Sequence, residues 1–163
     1  MRTVTLELFK ENMKFSAGHF TIFSAHEREN LHGHNFTVHV TLEARMQSNG
    51  MCFDYGLYKR RIETLCREWN EVFMLPAHSP YLRLEEQADL VIAHFGAERI
   101  PFLRRDVLIL PVENITVEEL SQLMLTKLTA DSQELAAWGL EAVAVKIFSG
   151  PGQCAVSHWK QSP

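Results

Sequence analysis

The chain has 163 residues, 46% of them hydrophobic and 22% charged, with a formal net charge of −4. That length fits one domain around one core. The only basic clusters, Lys59-Arg60-Arg61 and Arg104-Arg105, are short and read as solvated faces, which argues against a nucleic-acid partner. No apolar run is long enough for a membrane span and the N-terminus lacks a signal-peptide pattern. The cysteines Cys52, Cys66 and Cys154 are widely spaced and odd in number, as reduced thiols would be, so a cytoplasmic setting is expected.

In chain order, Val4 to Phe20 reads as a strand and Ser24 to Asn30 as a polar loop. A long strand follows from His32 to Met46, in which Phe36, Val38, Val40 and Leu42 alternate with Thr37, His39, Thr41 and Glu43. Gln47-Ser48-Asn49-Gly50 is a turn signal. From Tyr55 to about Glu71, the positions Leu57, Ile62, Leu65, Cys66 and Trp69 fall near helical spacing. After Pro76 come four short β-like runs: Tyr81 to Leu84, Leu90 to Phe95, Arg99 to Leu103 and Val107 to Leu110, with a hairpin turn at Gly96-Ala97. Thr116-Val117-Glu118-Glu119 fits a capping box, and the helix it opens runs through Leu120, Leu123, Met124 and Leu128 into a frayed continuation. Beyond Gly139, the strands Ala142 to Phe148 and Cys154 to Trp159 are joined by a turn at Gly150-Pro151-Gly152. Strands paired ahead of helices suggest an α+β domain over residues 1–163, with an antiparallel sheet, helices on one face and a β-rich insert at about 81–110.

Histidines carry the functional signal. His32 and His34 flank one glycine at the head of the long strand, and a period of two sends both side chains to one face. His19 ends the preceding strand-like run, so pairing of the two strands would gather three imidazoles around one ion. Three neutral nitrogen donors leave the fourth tetrahedral position open, as a catalytic zinc site requires. The expected cofactor is therefore Zn2+, held by His19, His32 and His34. His39 has the wrong parity for that face, and His26 lies in the polar loop.

The motifs around these histidines resemble those of the 6-pyruvoyl-tetrahydropterin synthase family, which includes the 6-carboxy-tetrahydropterin synthases. They are Phe15-Ser16-Ala17-Gly18-His19, Leu31-His32-Gly33-His34-Asn35-Phe36, Gly50-Met51-Cys52-Phe53-Asp54-Tyr55, Met74-Leu75-Pro76 and Asn114-Ile115-Thr116-Val117-Glu118. The resemblance implies a tunnelling fold built from two strand-strand-helix units, and a homo-oligomer, commonly a hexamer, with active sites between subunits. It also implies a zinc-dependent lyase acting on the C6 side chain of 7,8-dihydroneopterin triphosphate, a small pterin substrate.

Three departures accompany the match. The family's cysteine ahead of His-Gly-His is missing from His26-Glu27-Arg28-Glu29-Asn30-Leu31, where Glu29 stands as some relatives place a glutamate. The family's Asp-His relay aligns with Asn70-Glu71, and its pterin-anchoring Glu-Thr pair with Ser149-Gly150. By the resemblance, Glu29 and Glu71 are the expected catalytic residues, and Thr116 and Glu118 the expected substrate-binding ones. The other readings are a zinc enzyme of the same scaffold acting on a different small molecule, and a binding paralogue that keeps the metal without turnover.

Overall fold

β3 (His32–Arg45), the longest strand, organises the computed structural model, which describes residues 2–161. Phe36, Val38, Val40, Leu42 and Ala44 on one face are buried, while Asn35, Thr37, His39, Thr41 and Glu43 face the other way, as the alternation predicts. Two strands pair with β3 on the same side, one after the other: β1 (Thr3–Leu8), from Thr3↔Arg45 to Leu8↔Val40, and β2 (Lys14–His19), from Lys14↔Thr37 to His19↔His32. The single strand expected over Val4 to Phe20 is thus broken in the middle. Five residues, 9–13, span only Val38 and His39 of β3, and the excess loops outward through a turn closed by Met13 N–H donating to the Lys10 carbonyl at 2.9 Å.

α1 (Gly56–Glu68) buries Tyr58, Ile62, Leu65 and Cys66 at helical spacing, with Trp69 just beyond its end. Leu57, which the sequence placed on that face, is 41% exposed, and Tyr58 takes its place in the core. Tyr58 can be fully buried because its hydroxyl donates to the Leu128 carbonyl at 3.0 Å, at the end of α2 (Val117–Leu128), where helix carbonyls lack intrahelical partners. Leu120, Met124, Leu125 and Leu128 of α2 join the same core. What the sequence read as a frayed continuation is a separate short helix, α3 (Ser132–Ala137), capped by Asp131 accepting from Glu134 N–H at 2.9 Å. β9 (Leu140–Gly150) lies on the far side of β3, with Val38↔Ile147, Val40↔Val145 and Leu42↔Val143, and β10 (Gln153–Lys160) forms the edge beyond it.

The other end of the large sheet is parallel rather than antiparallel. β4 (Val72–Pro76), a strand the sequence reading missed, lies beside β2 with Ala17↔Val72 and Gly18↔Phe73. Proline closes it, and a strand's end tolerates the lost donor. β8 (Val107–Leu110) continues the sheet beside β4, so the last run grouped with the insert belongs to the large sheet. The remaining three, β5 (Leu82–Gln87), β6 (Leu90–Phe95) and β7 (Glu98–Leu103), form a separate antiparallel sheet in the order β5-β6-β7. Its Leu82, Val91, Ala93 and Phe95 make a second core with Phe20, Ile22 and Leu75. Phe20 follows the last residue of β2, so this second core meets the large sheet where His19 stands.

Candidate metal centre

Register alone brings the three histidines together. His19 is paired directly with His32 across β2 and β3, and His34 lies two residues further along β3 on the same face, opposite Ala17. Directly paired side chains on one face stand within about 4.5–5.5 Å, and one ligand nitrogen from each ring can be chosen so that all three lie within 4.8 Å of one another. The Phe36 ring closes the site on the core side, 5.6 Å from the His34 ring and 6.0 Å from His19. Gly18 makes the strand packing behind His19 possible: a Cβ there would meet the Phe73 ring at 2.5 Å.

The hydrogen bonds point the free lone pairs inward. His19 is buried, its Nδ1 donates to the Ile115 carbonyl at 2.8 Å, and its Nε2 is buried with no partner. His32 Nδ1 donates to the Asn30 carbonyl at 2.7 Å, which leaves its Nε2 without a proton in the neutral ring. That Nε2 is 3.1 Å from His34 Nε2. Two nitrogens on one tetrahedral zinc at about 2.0–2.1 Å stand about 3.3 Å apart, so the observed spacing suits a shared ion. Burial, helped by the neighbouring His32 and His34, holds the His19 pKa below the usual histidine value despite the opposing pull of the Ile115 carbonyl. A neutral imidazole is the form a metal binds. An orphaned buried nitrogen, backing carbonyls on two rings and a donor set of three imidazoles together fit a zinc ion.

Glu29 is the carboxylate brought to these rings. Its Oε2 is 3.7 Å from His32 Nε2. Residues 21–29 form a tight return, with Ile22 bridged to Arg28 and Glu29 N–H donating to the Thr21 carbonyl at 2.9 Å. Thr21 N–H donates in turn to Glu29 Oε2 at 2.9 Å, fixing the side chain. Partial burial pushes the Glu29 pKa up, but the Thr21 hydrogen bond and the His32 and His19 imidazoles outweigh it and hold the carboxyl below its usual value. Asn114 grips the same loop from the approach to α2. Its Oδ1 accepts from Ile22 N–H at 3.1 Å and Ile115 N–H at 3.0 Å, and its Nδ2 donates to the Ile22 carbonyl at 2.8 Å.

The remaining candidates lie elsewhere. Glu71 N–H donates to the Ser16 carbonyl at 2.7 Å, and Ser16 points away from the face of Ala17 and His19. Glu71 lines, with Ser16, Gly18, Gly33, His34 and Asp106, a cleft of about 480 Å³, and takes the left-handed φ of 58°. Asn70 holds the strand start, its Oδ1 accepting from Ser16 N–H at 2.8 Å. Thr116 follows the carbonyl that backs His19 and caps α2, accepting from Glu119 N–H at 3.3 Å; Glu118 is exposed in the first turn. The Ser149 hydroxyl accepts from Gln153 Nε2 at 2.9 Å, and His78 is exposed in a turn.

The parts of the site that sequence reasoning missed are mostly main-chain groups. The Ile115 and Asn30 carbonyls and the Thr21 N–H carry no side-chain signal. Asn114 had one, as the first residue of a recognised motif.

The model of the family described as 6-pyruvoyl tetrahydropterin synthase matches residues 7–158. A putative 6-carboxy-5,6,7,8-tetrahydropterin synthase of Pyrococcus horikoshii is 23% identical over 145 residues, covering 85% of this chain and 81% of its own. Among solved structures, the 6-pyruvoyltetrahydropterin synthase of Plasmodium vivax is 25% identical with a TM-score of 0.93, covering 98% of this chain and 99% of that one. The Plasmodium falciparum enzyme is 23% identical with a TM-score of 0.91, covering 97% and 98%. Two further P. vivax structures, in which a catalytic glutamate is replaced by alanine or by cysteine, have the same TM-score of 0.93. With that match running from β1 to β10, the chain belongs to the 6-pyruvoyl tetrahydropterin synthase family.

Proposed function

We propose that this protein is a zinc-dependent lyase that cleaves the C6 side chain of 7,8-dihydroneopterin triphosphate in pterin biosynthesis, with Glu29 as the residue that moves the proton. The observation that carries this reading is the unpartnered, buried Nε2 of His19 converging on His32 and His34, with the Glu29 carboxylate 3.7 Å from His32. A zinc ion held by the three imidazoles supplies Lewis acidity toward the oxygens of the substrate side chain.

The chain's own groups do the rest. Glu29 is ionised and fixed by Thr21, so it can accept a proton from a side-chain hydroxyl as the adjacent carbon–carbon bond breaks. The hydroxyl-bearing carbon leaves as an aldehyde that carries the triphosphate, and returning the proton to the carbon left on the pterin ring gives a 6-hydroxymethyl product. The P. vivax relative, whose catalytic residue is a glutamate, supports the assignment. Glu71 lines a cleft that His34 also lines, and in a homo-oligomeric assembly a second subunit would complete that cleft.

One observation favours a second reading. At the position where the family anchors the pterin with a glutamate, this chain has Ser149 with its hydroxyl engaged by Gln153, and no acid follows Glu141. A zinc enzyme of this scaffold acting on another small molecule would need no such anchor.

Incubation with 7,8-dihydroneopterin triphosphate, with products identified by mass, separates the two. The first reading requires a 6-hydroxymethyl pterin product, and requires that Glu29→Gln reduce turnover about 10²–10⁴-fold while zinc content stays unchanged. A zinc-loaded protein that leaves the substrate intact excludes it.

A further inference from the structure

We propose that the three-stranded insert positions the proton-moving loop, and that Arg28 is the positioning residue through which it does so. The inference rests on the reading of Glu29 as the base.

Arg28 immediately precedes Glu29, and its guanidinium is shared among several partners. Nε donates to Glu98 Oε2 at 2.7 Å and Nη1 donates to the Glu29 carbonyl at 2.8 Å. The same group lies 5.2 Å from the centre of the Phe20 ring and 5.8 Å from that of Phe95. Phe95 ends β6 and Glu98 opens β7, so the insert's hairpin turn supplies an ion-pair partner and an aromatic face. Phe20 adds the residue next to His19. The Arg28 side chain is 16% exposed and that of Glu98 52%, so the pair is sheltered on the arginine side and open to water on the other. A planar fork presents donors on separate nitrogens in fixed directions to a carboxylate and a carbonyl, whereas the three donors of an ammonium radiate from a single atom.

Apolar packing acts in the same direction. Ile22 lies in one core with Val91, Ala93 and Phe95 of the insert. The turn at Gly96, with φ of 55°, brings its Cα side close enough that a Cβ there would stand 4.0 Å from the Ala25 carbonyl. The loop carrying Glu29 is therefore bounded by the insert along its outer side, while the three histidines are set by pairing of β2 with β3. Contacts from the insert reach this loop through Arg28 and Ile22. Misplacement of a reacting group by about 1 Å can cost about a hundredfold in rate, so bracing at this distance from the chemistry bears directly on turnover.

The test compares Glu98→Gln, Arg28→Lys, Arg28→Ala and the double variant Arg28→Ala/Glu98→Gln with the wild type and with Glu29→Gln. Bound zinc, melting temperature, kcat and KM on 7,8-dihydroneopterin triphosphate, and amide hydrogen exchange over residues 21–29 are measured on each. Glu98→Gln should lower kcat about tenfold and Arg28→Ala about a hundredfold, with KM changed less than about threefold and zinc retained. Arg28→Lys should behave like Arg28→Ala, and the double variant should be no slower than Arg28→Ala, as coupled partners require. Exchange should quicken across residues 21–29 and stay at the wild-type rate in β3. Wild-type kcat and exchange in Glu98→Gln, beside an inactive Glu29→Gln, would overturn the bracing role while leaving the base assignment standing. An active Glu29→Gln would instead show that the underlying reading of the site had failed.

Discussion

The candidate metal ligands and the candidate base are neighbours held by different physics. His19, His32 and His34 take their places from β2–β3 register, a ladder of main-chain bonds in which a slip of one residue would send every side chain to the opposite face. Glu29 lies on a loop that main-chain bonds close upon itself but that side chains hold to the rest of the fold: Asn114 on one flank, Arg28 with Glu98 and Phe95 on the other. A strand pair over the main core resists local opening, whereas a braced loop can loosen while the rest stays folded. Metal retention and turnover should therefore separate on mutation, and the family's scaffold can keep the first while its chemistry changes at the second.

The strongest break in that comparison is His19→Ala. It removes the most buried of the three candidate ligands, leaves the Ile115 carbonyl without its donor, and reduces the set to two imidazoles. Zinc affinity should fall more than about a hundredfold, and turnover should vanish with it. Equilibrium dialysis against zinc, read by metal analysis, checks this. Glu29→Gln supplies the contrast, because it should lose turnover and keep zinc. Retention of zinc by His19→Ala would mean that the ion, if bound, is held elsewhere.

Asn114→Ala probes a side chain that touches both regions. It removes three hydrogen bonds, two to Ile22 in the loop and one to Ile115, whose carbonyl orients His19. The expected loss is about 2–3 kcal/mol of stability, since part-buried main-chain groups on Ile22 and Ile115 would be left without partners. Urea denaturation measures that loss, and zinc titration of the same variant should show weaker binding together with slower turnover. Slower turnover at wild-type zinc affinity would confine Asn114 to the loop.

The same contrast governs what could be read in the sequence. Alternation in Phe36 to Glu43 carries the strand, its buried face and the shared side of His32 and His34, because period two translates directly into geometry. Pairing of His19 with His32 was inferable once two strands were joined by one loop. The break between β1 and β2 was not, since residues 9–13 have no glycine or proline and the outward loop follows from how β3 is shared between two partners. β4 was missed because five residues ending in proline give too short a pattern, and its identity comes from parallel neighbours on either side. Tyr58 and Leu57 exchanged roles because only the fold offers the Leu128 carbonyl to a buried hydroxyl. The motif marks Glu29, yet the Thr21 N–H that fixes it carries no side-chain signal, and Glu98 and Phe95 are far from it in sequence.

The smallest expected effect concerns Thr116, which the motif marks as a substrate contact and which serves here as the N-cap of α2. A cap satisfies one of the main-chain donors that a helix start leaves open, so Thr116→Ala should cost about 1 kcal/mol of stability. Thr116→Ser keeps the accepting oxygen and should recover most of that loss. Because the Ile115 carbonyl precedes the cap, zinc affinity should be unchanged if the cap frays without moving residue 115. Thermal melting of the two variants, with KM measured alongside, separates the two roles. A raised KM in Thr116→Ala at wild-type stability would assign the hydroxyl to the substrate, whereas lower stability at wild-type KM assigns it to the helix, placing Thr116 with the framework behind His19.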